Sequence, residues 1–303
     1  ERRASLAVDF PGAEIVDGDG FDALLAKVKP ELVCDAGPDH LHAEHAIATL
    51  NAGASILIEK PMCTSREEAV AIRAAEAKSK GVVTVDYTMR YSHPWGTMMH
   101  EARDGAVGEI FYIGGFYIHD MYDWFAPDGK CRTPWRVDAK HPQNTLFGGG
   151  CHGLDLILCT MGENAVTEVY CQANHLSGSA MPVEDCFLVA LKFASGAIGQ
   201  LFVTTGVNSG SFGPMFEVYG TGGTLIEGKK LERTSEPAEL QRRDVVDEQT
   251  HNWNQTTRDF ITASLGGANE MNSLMGARNV AVFDASMQSF ESGQVAPVKW
   301  FDT

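Results

Sequence analysis

Residues 31–88, ELVCDAGPDHLHAEHAIATLNAGASILIEKPMCTSREEAVAIRAAEAKSKGVVTVDYT, decide the fold. Three short apolar runs, ELVCDAG (31–37), ASILIEK (54–60) and VVTVDYT (82–88), alternate with two segments of helical period, HLHAEHAIATLNAG (40–53) and TSREEAVAIRAAEAKSKG (64–81). Short runs rich in Val and Ile read as strands, and strands separated by helices pair in parallel, so the order is βαβαβ. Gly53 and Gly81 stand where the two helices are expected to stop, and Thr64 followed by Glu67 reads as a capping box opening the second.

Beyond about residue 91 the rhythm changes. EIFYIGGFYI (109–118), TEVYCQANH (167–175), DCFLVALKF (185–193), AIGQLFVTTG (197–206) and MFEVYGTGGTLIEG (215–228) read as strands joined mostly without helices, which implies a largely antiparallel sheet. GTGG (220–223) and SGA (195–197) fit hairpin connections. Residues 250–265 and 275–291 read as closing helices, and ERTSEPAELQRRD (232–244) as an exposed loop. A chain of 303 residues exceeds one ordinary core. The turn at Ser92–Trp95 divides it into domains 1–91 and 92–303, with the last helix free to pack back on the first.

Forty acidic against 24 basic residues give a formal charge of -16. That charge opposes a nucleic-acid backbone, and Arg2-Arg3, Lys229-Lys230 and Arg242-Arg243 are isolated pairs, not a basic track. No run approaches the roughly 18 apolar residues of a membrane helix. The seven cysteines, at 34, 63, 131, 151, 159, 171 and 186, form no C-x-x-C pair, so zinc and dithiol motifs are not expected. Thiols inside apolar patterns point to a reducing, cytoplasmic setting. The chain opens on ERRASLAVDF, without a methionine and with the look of mid-helix, so a preceding segment is expected and an export signal there stays open.

Ligands of open parallel sheets bind beyond the carboxyl ends of the strands, which here are AGPDHLH (36–42), EKPM (59–62) and TMRY (88–91). Lys60 precedes Pro61, so its strand ends there; it is either a surface lysine beside a turn or an ammonium projecting into the crevice. Asp39 reads as a helix cap, and His42 and His45 share a helical face with no third ligand in reach of the pattern. In LFGGGCHGLDL (146–156) no strand precedes Gly148–Gly150, so a phosphate cradle is the weaker reading and a tight turn presenting His152 the better one. His152 and Asp155, one turn apart, suit either a metal or a base with its carboxylate.

Taken together and in order, PDHLH (38–42), EKP (59–61), MRY (89–91), WR (135–136), GGGCHGLD (148–155) and GTGG (220–223) resemble the Gfo/Idh/MocA oxidoreductases, over essentially the whole chain. The resemblance implies a Rossmann domain for NAD or NADP, followed by an α/β domain whose open sheet forms a homo-oligomer interface. It places a glycine-rich phosphate loop and a ribose-binding acid upstream of Glu1, so about 35–40 residues, one βαβ unit, are expected there.

By the same resemblance, Lys60 holds the reacting hydroxyl and His152 exchanges its proton, while Gly37, Pro38, His42, Glu59, Lys60, Pro61 and Arg90 contact the cofactor. His119, Asp120, Trp124, Trp135, Arg136 and Asp155 are the expected substrate contacts, a mixture of flat faces and polar groups that suits sugar rings. No metal is expected. The family's aspartate four residues before the histidine is replaced by Gly148. The leading expectation is an NAD(P)-dependent oxidoreductase acting on a secondary alcohol of a sugar, inositol or related polyol. The rivals are an NAD-dependent glycoside hydrolase working by transient oxidation, and a non-catalytic binding paralogue.

Overall fold

The computed structural model describes residues 8–14, 20–162, 165–208, 215–233, 240–245 and 252–301. Most of ERRASLAVDF therefore lies outside the described residues. After helix α1 (Phe21–Val28), the expected alternation is present: β1 (Leu32–Asp35), α2 (His42–Asn51), β2 (Ser55–Ile58), α3 (Arg66–Glu76) and β3 (Val83–Val85). The strands pair in parallel in the order β1-β2-β3. β2 and β3 are buried at every position, which is why they read as continuous apolar runs and not as alternating ones.

Two punctuation marks differ from expectation. The capping box on α3 is formed one residue later, by Ser65 and Glu68, whose carboxylate also accepts from the Thr64 hydroxyl. Gly53 does turn the chain after α2 with φ of 79°. Gly81 does not end α3, whose cap is Ala77; a Cβ at 81 would lie 2.0 Å from the Ala54 carbonyl, so glycine there admits the start of the neighbouring strand.

A helix missed in the sequence, α4 (Trp95–Arg103), opens the second layer, directly after the turn read at Ser92–Trp95. It leads into β4 (Ile110–Ile118), the short helix α5 (Tyr122–Phe125), α6 (Thr145–Gly148) and α7 (Gly150–Met161). Strands β5 (Val166–Asn174), β6 (Cys186–Phe193), β7 (Ile198–Thr204), β8 (Phe216–Gly220) and β9 (Gly223–Ile226) follow, with the hairpins at 195–197 and 220–223 as expected. The stretch read as an exposed loop instead contributes to an antiparallel pair, β10 (Lys229–Arg233) with β11 (Leu240–Asp244). The sequences of this pair, KKLER and LQRRD, carry no period-two apolar signal to read.

Helices α8 (Trp253–Ser264) and α9 (Ser273–Ser292) and the short β12 (Ala296–Pro297) close the chain. The large sheet runs β11-β10-β9-β8-β4-β7-β6-β5-β12 and is antiparallel except for the β4–β7 pair. Along β6, Phe187, Val189, Leu191 and Phe193 are buried, while Leu188 and Ala190 face outward. α7 lies on the buried face so closely that a Cβ on Gly115 of β4 would be 2.9 Å from the Gly153 carbonyl. The two layers share one apolar core. α9 ties them: Val85 donates to the Met271 carbonyl just ahead of it, Ser273 bonds Glu76, and Gly276 sits against Met62.

Candidate active site

The carboxyl ends of β1 and β2 place Gly37-Pro38 and Glu59-Lys60 side by side, and the third strand ends earlier than the sequence suggested, at Val85, which puts Asp86 on this edge. Thr88–Tyr91 is a 3-10 turn beyond it. Lys60 reaches across to the second layer, where its Nζ donates to the Gly148 carbonyl at 2.8 Å, four residues ahead of His152. His152 is 7% exposed and lies in the first turn of α7. Its ring stacks on Tyr117 of β4 at 5.8 Å, and Tyr117 stacks in turn on His119 at 5.7 Å, which meets Trp124 edge-on.

The three glycines are now explained. Gly148, Gly150 and Gly153 do have the G-x-G-x-x-G spacing, but a helical turn precedes them in place of a strand, and protein fills the space around each. A Cβ on Gly148 would meet the Gln143 amide at 2.5 Å, on Gly149 the Tyr117 ring at 2.4 Å, and on Gly150 Val203 at 2.8 Å. Gly149 has a negative φ of -106°, open to any residue, so close packing and not backbone freedom requires it. The motif is a packing device that brings His152 up to Tyr117.

Burial works against the Lys60 ammonium, yet its neighbours Cys151, Tyr117, Glu59 and Asp39 carry its pKa above the ordinary value. Burial pushes the Cys151 thiol up to about 12 and raises the Tyr117 phenol. Arg136 lies over the Trp135 ring at 4.5 Å and donates to Thr133 and Gln143; burial lowers its pKa, against the pull of Asp39. Trp135, Gln143, Asp39 and Thr64 border an interlayer cavity of about 180 Å³. Tyr117 and Gln143 were not expected here. Tyr117 was legible in principle, because it shares the helix-facing side of β4 with Ile113 and Gly115.

Asp86 gives a pH-dependent prediction. Burial, and after it the charge of Glu59, push its pKa from 3.8 to about 6, opposed by Thr256 and Lys60. An acid whose folded pKa lies above its unfolded value holds its proton more tightly in the folded state. Its contribution is therefore greatest below about pH 4 and is lost as pH rises through about 6. Asp86→Asn is expected to stabilise the protein by roughly 2 kcal/mol at pH 8 and to leave it unchanged at pH 4, measured by urea unfolding.

Comparison with known proteins places this geometry. The description "Oxidoreductase family, NAD-binding Rossmann fold" matches residues 1–87, and "GFO/IDH/MocA C-terminal domain" matches residues 96–226. The chain belongs to the Gfo/Idh/MocA oxidoreductase family. It is 29% identical over 218 residues to levoglucosan dehydrogenase of Pseudarthrobacter phenanthrenivorans, covering 63% of this chain and 53% of that one. It is 25% identical over 309 residues to inositol 2-dehydrogenase 2 of Saccharopolyspora erythraea, covering 98% and 85%. The matched stretch thus spans about half of the first relative. An inositol dehydrogenase homolog from Azotobacter vinelandii, solved with NAD+, shares the fold with a TM-score of 0.79 at 20% identity, over 97% of this chain and 86% of that one. As a Gfo/Idh/MocA family member, the chain matches the family's Rossmann description in its first layer and its C-terminal description in its second.

The structure gives several of the expected contact residues protein partners of their own. His42 is fully buried, with Nδ1 2.7 Å from the Pro61 carbonyl and Nε2 3.1 Å from that of Gly37, so it props the two strand-end loops from beneath. Pro61 is buried with it. Arg90 and Asp155 are 4% and 1% exposed and joined by two 2.7 Å hydrogen bonds, so each carboxylate oxygen of Asp155 is engaged by the guanidinium. Asp39 caps no helix; its Oδ2 accepts from Gln143 Nε2 at 2.8 Å. Asp120 sits at the end of the large sheet, where Oδ1 accepts from the Tyr122 amide. Among the described residues no three His, Cys, Asp or Glu side chains converge to hold a metal, and no helix is long and apolar enough to cross a membrane.

Proposed function

We propose that the protein is an NAD(P)-dependent dehydrogenase or reductase acting on a secondary alcohol of a sugar, inositol or related polyol. The observation that carries this reading is the Lys60 ammonium held against the start of the helix that bears His152, at the carboxyl edge of the parallel sheet. The residues fit a nicotinamide nucleotide. Gly37, where a Cβ would stand 2.9 Å from Asp35 Oδ1, keeps the crevice floor free of a side chain, and the part-exposed Glu59 and Lys60 offer an acceptor and a donor for ribose hydroxyls.

Bound there, the cofactor supplies the hydride acceptor or donor. The chain's own residues manage the proton and the charge. Lys60 holds the reacting hydroxyl oxygen and stabilises it as negative charge develops, and His152 takes the proton from that oxygen, or returns it in the reverse direction. Tyr117, His119, Trp124 and Trp135 supply ring faces, and Arg136 a fork of donors, for the remaining hydroxyls. The division at residues 91/92 separates the cofactor layer from the substrate layer.

The levoglucosan and inositol dehydrogenases among its relatives favour a cyclic polyol, and a scyllo-inositol relative named for NADP+ keeps both nucleotides in view. The outward face of the large sheet, with Tyr170, Leu188 and Ile198 exposed, supports self-association of two copies. Free cysteines throughout the described residues support a cytoplasmic setting.

The test is reduction of NAD+ or NADP+ by a panel of inositols, hexoses and simple glycosides, followed by the absorbance of the reduced nicotinamide. Turnover in the ordinary range of about 1–10³ per second with at least one polyol is expected. Sugar release from a glycoside without net reduction transfers the site to the hydrolase reading. Failure with every polyol, together with no binding of the reduced nucleotide by fluorescence, refutes both.

A further inference from the structure

We propose that Gln143 is a positioning residue for Lys60: by standing between Asp39 and Arg136, it delivers the Asp39 carboxylate as a counter-charge of the Lys60 ammonium. The inference rests on the role of Lys60 given above. Its geometric basis is a chain of short contacts. Lys60 Nζ donates to the Gly148 carbonyl at 2.8 Å. Gln143 occupies the space a side chain at 148 would need, its Nε2 lying 2.5 Å and its Cδ 2.8 Å from an ideal Cβ there. The same amide donates from Nε2 to Asp39 Oδ2 at 2.8 Å and accepts at Oε1 from Arg136 Nη1 at 2.5 Å. Gln143 and Asp39 are 6% and 7% exposed.

The amide's orientation follows from its partners, since a carboxylate only accepts and a guanidinium only donates. Without it, the acid and the guanidinium have nothing between them to prevent a direct ion pair, and the Asp39 charge would be neutralised by Arg136. With it, that charge stays directed at the interlayer crevice. The groups facing Lys60 are Glu59 on its own loop, Asp39 after β1, Asp86 after β3, Tyr117 on β4 and Cys151 on α7. Cys151 and Tyr117 are held neutral at pH 7 to 8 by burial. The acids Glu59 and Asp39 are then the charges that favour the ammonium against burial, and Gln143 holds the second of them through its 2.8 Å hydrogen bond.

The experiment is competitive labelling of the purified protein with acetic anhydride across pH. Acetylation of Lys60 is read by peptide mass spectrometry against exposed Lys78, because only the unprotonated amine reacts. Asp39→Asn and Gln143→Leu are both expected to lower the Lys60 labelling midpoint by about one pH unit, a roughly tenfold faster labelling at a fixed pH below it. Gly148→Ala, which displaces only the end of the Gln143 side chain, is expected to shift it in the same direction by less, and remains informative if Gln143→Leu does not fold. A midpoint unmoved in the Gln143 and Gly148 variants, whether or not Asp39→Asn moves it, overturns the proposal. Labelling needs neither cofactor nor turnover, so a failure of the dehydrogenase reading shows up separately, as absent nicotinamide reduction.

Discussion

Lys60→Met is expected to lower kcat/KM by roughly 10³-fold, almost all of it in kcat, with the melting temperature held or slightly lowered. Methionine matches the lysine stem in length and removes only the charge. The interaction lost is one made chiefly as the substrate oxygen becomes negative, so substrate affinity, and with it KM, changes little. Stability falls only a little, because the ammonium's hydrogen bond to the Gly148 carbonyl and its favourable neighbours are partly offset by the cost of burying the charge. Steady-state kinetics on the best polyol substrate, paired with a thermal melt, checks both halves. Undiminished turnover would take Lys60 out of the reacting centre, and a large fall in melting temperature would make it a structural lysine instead.

The first layer was legible because its physics is local. Buried parallel strands read as unbroken apolar runs, and the helices between them announce themselves by period and by a capping box, read at Thr64–Glu67 and formed one residue later by Ser65 and Glu68. The catalytic candidates were legible by resemblance, since EKP and GGGCHGLD each mark a strand end or helix start whose position follows from the fold.

What sequence could not supply is long-range pairing of polar groups. Arg90 meets Asp155 across 65 residues and Gln143 meets Asp39 across 104, and no periodicity encodes either. Asp39, placed after a proline and before a helix, has the local appearance of a cap, and only the tertiary fold turns it toward Gln143. The β10–β11 pair was missed for a related reason: the runs KKLER and LQRRD are mostly charged and show none of the apolar alternation by which a half-buried strand is read.

Asp155→Ala is expected to destabilise the protein by about 3–5 kcal/mol, which lowers the melting temperature on the order of 10 °C for a chain of this size. The Arg90 guanidinium loses both carboxylate bonds and keeps, as a hydrogen-bond partner, the Glu270 carbonyl, in a site only 4% exposed. The pair joins the turn after β3 to α7, and the Glu270 bond extends the link to the segment leading into α9, so its loss loosens the elements that align the two layers. The double variant Arg90→Met, Asp155→Leu should recover most of the loss, because neither charge is then buried alone. Had these residues been ligand contacts, as their motifs suggest, the single variants would keep their melting temperature and lose turnover. As a buried strut, the pair predicts that turnover follows stability, falling in the single variant and returning in the double. A double variant that melts like the wild type but remains inactive would hand Arg90 and Asp155 back to the active site.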